Sequence, residues 1–113
     1  MAQDELTLTK EEPTRENPCG PIGTEVVFEN DRVRVWDMRV GPRGKKPWHH
    51  HKHDYIIISV TGGKVEIENV EGHSYIGHDK VGGVIWQDAG QKHELRNLTD
   101  APYQNILVEL KTP

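Results

Sequence analysis

"KPWHHHKHDYIII", residues 46–58, sets four histidines within five positions and then runs directly into isoleucines. The run lies in the interior of the chain, whereas purification tags sit at termini, so it belongs to the folded protein. In an extended strand, side chains alternate between faces at a rise of roughly 3.3 Å per residue. His49, His51 and His53 then share one face with Tyr55, Ile57 and Ser59, while His50, Lys52, Asp54, Ile56, Ile58 and Val60 share the other. Imidazoles at i and i+2 stand roughly 6–7 Å apart at Cα, a span that closes on one metal ion when a further ligand arrives from elsewhere. A polar start to a strand, with no metal, accounts for a lone His-x-His equally well.

Outward from this run, nearly every segment reads as strand. "VVFEN" (26–30) and "VRVWDMRV" (33–40) are rich in β-formers and separated by Asp31-Arg32, the pattern of a hairpin. "GPRGKKP" (41–47) reads as a loop, and "YIIISV" (55–60) as a buried strand turned by "TGGK" (61–64) into "KVEIENV" (64–70). "EGHSYIGHDK" (71–80) is polar and is expected to be a hairpin tip, and "VIWQ" (84–87), "HELRNL" (93–98) and "YQNILVEL" (103–110) complete the set. No stretch sustains a capped 3.6-residue apolar period. Short strands with Gly-rich turns point to an all-β sandwich or barrel.

With 113 residues the chain is long enough for one modest core, hence one domain. Residues 1–21 carry five acidic against two basic side chains and three of the seven prolines, so a flexible acidic N-terminal arm is expected there, with the barrel domain over 22–113. This arm holds −3 of the net −4 charge. The remainder is nearly neutral and offers no basic field for nucleic acid or an anionic membrane, so neither is expected as a partner. No apolar run approaches the roughly 20 residues of a membrane span, and the N-terminus lacks the pattern of a secretory signal. Cys19 is the single cysteine, which excludes an internal disulfide and fits a reducing, cytoplasmic location.

Among the other histidines, His93 in "GQKHELRN" is the obvious further ligand, since it opens another strand after a Gly-containing turn. His73 and His78 fall in the polar 71–80 segment and are expected on the surface, with His50 exposed or at a subunit contact. Trp36, Met38 and Trp86 are candidates for an apolar pocket wall, though such residues are more often plain core, and Arg34, Arg39 and Arg96 for holding a substrate carboxylate, though such arginines are more often solvated charges at a strand edge.

Residues 41–97 resemble the cupin superfamily of small jelly-roll β-barrels. The first cupin motif is Gly, five residues, His-x-His, three or four residues, Glu, six residues, Gly. Here His49 and His51 supply the pair, Tyr55 stands where Glu is expected, Gly62 closes the motif, and Gly44 opens it one residue too close. The second motif is matched in spacing throughout by Gly82, "GVIWQ", Asp88-Ala89-Gly90, "QK", His93, "ELR" and Asn97, with Asp88 in place of proline. The resemblance implies a single-domain cupin jelly-roll barrel in which His49, His51 and His93 hold one divalent transition metal: iron above all, with Zn, Ni, Mn or Cu as alternatives. Tyr55 removes the usual carboxylate ligand, because a phenol ordinarily titrates near 10. Tyr55 and His53 become the candidate catalytic or proton-transfer groups.

Three-His sites in this superfamily occur in oxygen-using iron enzymes and in non-redox isomerases and lyases. The leading expectation is therefore an Fe(II)-type dioxygenase of a small carbonyl or carboxylate compound. A non-redox isomerase or lyase of a sugar-acid-like substrate is the first alternative, and a non-enzymatic small-ligand binding or sensor cupin the second. If the histidines face inward, Ile56, Ile58 and Val60 face outward and need a cover, so a homodimer is expected.

Overall fold

The computed structural model describes residues 12–111. Nine strands follow one another: β1 (Glu25–Glu29), β2 (Val33–Val40), β3 (Lys45–His50), β4 (Asp54–Ser59), β5 (Gly63–Asn69), β6 (Ser74–Asp79), β7 (Val84–Gln87), β8 (Lys92–Asn97) and β9 (Tyr103–Leu110). They form two antiparallel sheets, ordered β1-β2-β9-β4-β7 and β3-β8-β5-β6. This is the all-β jelly-roll expected from the sequence. Among the described residues no helix is long and apolar enough to cross a membrane.

Period-2 alternation decides what lies between the sheets. On β9, Tyr103, Asn105, Leu107 and Glu109 are buried while their neighbours are half-buried. Met38, Val40, Tyr55, Val65, Ile67, Leu95, Tyr103 and Leu107 make the core. Fully burying an aliphatic or aromatic side chain of this size stabilises by roughly 1.5–3 kcal/mol.

The sheets' outer faces differ. Beyond the four-stranded sheet, Arg96 bonds to Glu66, Glu68 and Glu94. Across the five-stranded sheet the register instead aligns Phe28, Val35, Val108, Ile56 and Trp86 in one apolar row.

Two segments depart from the sequence expectation. The 41–47 loop is shorter, because β3 already begins at Lys45. The 71–80 segment is mostly strand: β6 pairs with β5 over Ser74–Asp79, and only the Val70–His73 turn is a tip. Its polarity follows from its place at the edge of the sheet. Of the 1–21 arm, residues 1–11 lie outside the described residues. Within the rest, Arg15 pairs with Glu68 and lies over the Trp48 ring, and the Gly20 N–H donates to the Trp48 carbonyl.

Candidate metal centre

His49 faces the interior because of a defect in β3. Lys46 is opposite Leu95 and His49 opposite His93, so three steps along β3 match two along β8. The extra residue is a bulge at Pro47–Trp48, a position that tolerates proline because a ladder bond is already lost there. Past the bulge, His49 and His93 are directly cross-strand partners. His51 lies beyond the end of β3 and is fixed through its backbone. Its N–H donates to the Gln91 carbonyl (2.8 Å), and its carbonyl accepts from the Gly90 N–H (2.7 Å). Gly90 has φ 105°, a conformation that side-chain-bearing residues rarely adopt, which accounts for glycine at this turn.

The three histidines therefore converge from two strands and one turn. One nitrogen from each lies within 4.8 Å of the others, and all three residues are buried. Their ring centroids are 4.7–4.9 Å apart in edge-on arrangements. Burial is the main reason that each imidazole holds its proton weakly. It pushes His49 down to about 4, against a restoring hydrogen bond to Pro47. His93 falls to about 3 and His51 to about 2, helped by the neighbouring imidazoles. All three are neutral at pH 7, the state in which imidazole is a ligand. His49 Nδ1 lies 2.7 Å from the Pro47 carbonyl. That oxygen only accepts, so Nδ1 carries the proton and the Nε2 lone pair is left for an ion. His51 Nδ1 is buried with no partner among the described residues. No carboxylate or thiol joins the group among the described residues. Three converging neutral imidazoles, one of them with an orphaned buried nitrogen, fit a divalent transition ion.

Tyr55 stacks on His51, with ring centroids 3.9 Å apart and planes 10° from parallel. Burial raises its phenol well above the ordinary range. It is therefore a protonated group that holds the His51 ring flat against it.

The structure separates the remaining candidates. His53 does not share the face of His49 and His51: the chain leaves strand geometry between β3 and β4, and the alternation is reset. It lines an outer cleft with His50, Cys19, Arg34 and Trp36, which shares only Ile22 with the lining of the three-histidine cavity. His73 and His78 are exposed, as expected. Met38 lines the inner cavity. Trp36 instead donates Nε1–H to Glu109 (2.6 Å), and Trp86 is 52% exposed on the outer face. Among the described residues no arginine lines the inner cavity: Arg34 pairs with Glu29 and Glu109, Arg39 with Asp37, and Arg96 with three glutamates.

Asn97, the last residue of the second motif, is a clamp. Its amide donates to the Gly41 and Ala101 carbonyls and accepts from the Thr99 N–H. The cavity itself has a volume of about 100 Å³ and a mostly apolar wall. Gln87, Asp79, Tyr103 and Asn105 also line it and were not singled out in the sequence. Alternation along "YQNILVEL" carries a signal for two of them, since it puts Tyr103 and Asn105 on the same face as Leu107.

The family model for the cupin domain matches residues 36–109, which contain every part of this centre. The chain belongs to the cupin-domain family. Among solved structures, this cupin is similar to a cupin domain from Bordetella pertussis Tohama I, with 29% identity and a TM-score of 0.75, covering 92% of this chain and all of that one. An RmlC-like cupin protein from Desulfovibrio desulfuricans shares the fold at 17% identity and a TM-score of 0.60, over 77% of this chain and 79% of that one. Among curated proteins, the cupin is 27% identical over 86 residues to the β-alanine degradation protein BauB of Pseudomonas aeruginosa, covering 76% of this chain and 90% of that protein.

Proposed function

We propose that this cupin is a metal-dependent dioxygenase, of the Fe(II) type, acting on a small carbonyl or carboxylate compound. The observation that carries the proposal is the convergence of three buried, neutral imidazoles with no carboxylate among them. Neutral ligands leave a divalent ion its full charge; when bound, it supplies Lewis-acid polarisation of a substrate oxygen and, as iron, electron transfer to O₂. His49, His51 and His93 would hold the ion. The Pro47 carbonyl sets the tautomer of His49, and Tyr55 sets the plane of His51. The wall around the cluster is mostly apolar, and Tyr55 keeps an O–H proton beside the cluster at neutral pH. His53, in the outer cleft, is assigned no step. The cavity volume of about 100 Å³ supports a substrate of few heavy atoms, as does similarity to a protein named for β-alanine degradation. An oxygen electrode tests the proposal with untagged, Fe(II)-loaded protein and a panel of short oxo- and hydroxy-acids. Substrate loss matched by O₂ uptake is expected. Turnover without O₂ uptake would overturn it in favour of the non-redox isomerase or lyase.

A second copy of the chain is proposed to cover the outer face of the five-stranded sheet. Phe28 and Trp86, at the two ends of the apolar row, are 55% and 52% exposed. One patch on each of two copies is what a two-fold interface requires. Light scattering after size exclusion should give a dimer, shifted toward monomer by Trp86→Glu; a monomeric wild type would refute it.

A further inference from the structure

The cavity has a second polar end, which the metal centre does not use. Asn105 is 2% exposed, and its Nδ2 donates to the Tyr103 phenol oxygen at 3.0 Å. The Tyr103 hydroxyl in turn donates to Asp79 Oδ2. The direction of this chain is forced. A carboxylate only accepts, so the single phenol proton goes to Asp79, and Asn105 must offer N–H to Tyr103. Its carbonyl Oδ1 is thereby turned elsewhere, buried and without a partner among the described residues. Such an orphaned acceptor is expensive to bury. Asp79 has no ion-pair partner among the described residues. It lines both the cavity and the cleft between β6 and β7.

Both acceptors are held on one phenol oxygen and sit on the wall of the cavity that the three histidines enter from its other end. On β9, Asn105 lies four residues from Glu109, the cross-strand neighbour of Tyr55, a strand distance of roughly 13 Å. Between the two levels the wall is apolar, formed by Ile57, Val65, Ile67 and Leu107.

We propose that Asp79, Tyr103 and Asn105 form a second binding subsite, which takes the ammonium group of a small ligand whose other end reaches the three-histidine cluster. An ammonium brings three N–H donors and the positive charge that an unpaired carboxylate in an apolar wall lacks. A carboxylate or carbonyl end group would meet only acceptors there. The proposal rests on the same cavity being the ligand site, as in the proposed function, but not on the reaction being an oxygenation.

The test is calorimetric titration of untagged protein loaded with Zn²⁺ under nitrogen, repeated on metal-free protein. The probes are 3-aminopropanoate, 4-aminobutanoate and 5-aminopentanoate, each against propanoate, butanoate or pentanoate of the same chain length. At least one amino acid is expected to bind about tenfold or more tightly than its amine-free partner. Asp79→Asn keeps an acceptor for Tyr103 while removing the charge, and should erase that preference. Equal affinities throughout each pair, as when Asn105 is satisfied by water alone, would overturn the proposal, and so would an Asp79→Asn protein that keeps the preference. Because no oxygen is present, the result stands or falls separately from the dioxygenase assignment.

Discussion

The two ends of the cavity solve opposite problems with the same apolar wall. At the histidine end, burial strips protons from three imidazoles and leaves nitrogen lone pairs facing one another. At the Tyr103 end, burial strengthens the phenol's hold on its proton, which keeps it a donor to Asp79. One end is a set of neutral donors suited to a cation of high charge density. The other is a set of oxygen acceptors suited to N–H groups. A low-dielectric barrel thus acts on chemistry through desolvation, and which residue type stands at an inward position decides the outcome.

Acid should act first at the histidine end. Each of the three imidazoles binds its proton more weakly in the folded protein than the ordinary value of 6.5, so at mildly acidic pH the unfolded chain holds more protons. Stability of the metal-free protein then rises with pH and is lost as pH falls below about 6.5, by about 1.4 kcal/mol per pH unit for each titrating group. Urea unfolding between pH 7 and 4.5 measures it; a flat profile would mean that the cluster is not buried. Tyr103→Phe acts at the other end, leaving Asn105 and Asp79 without their shared partner. A loss of about 1–3 kcal/mol is expected by the same method, with metal content unchanged. The smallest effect belongs to His53, in the outer cleft. His53→Ala should change stability by no more than about 0.5 kcal/mol and leave metal content untouched. A loss of metal there would return His53 to the centre.

How far the sequence reveals these two ends differs for physical reasons. The β2 and β9 ranges agree with the expected strands because both runs are rich in β-forming residues and bounded by turn residues. His49, His51 and His93 are legible because period 2 and two spaced motifs select the same residues. His53 was misplaced on their face because the chain's departure from strand geometry between His50 and Asp54 leaves no mark in composition. The bulge at Pro47–Trp48 is similarly silent: proline there reads as loop when it sits inside a strand. Asp79 was hidden by β6, an edge strand whose polarity mimics a turn. Tyr103 and Asn105 were hidden in the open, polar residues at buried positions of a clear strand pattern.

If His49, His51 and His93 make one metal centre, the protein carries one ion per chain. Elemental analysis of the untagged protein, beside a His49→Ala/His93→Ala variant, tests it most directly. Close to one transition-metal ion per chain in the wild type, falling to background in the variant, is the predicted result. Metal well below one per chain after exposure to Fe(II) and Zn(II), or metal that survives loss of both histidines, would contradict it.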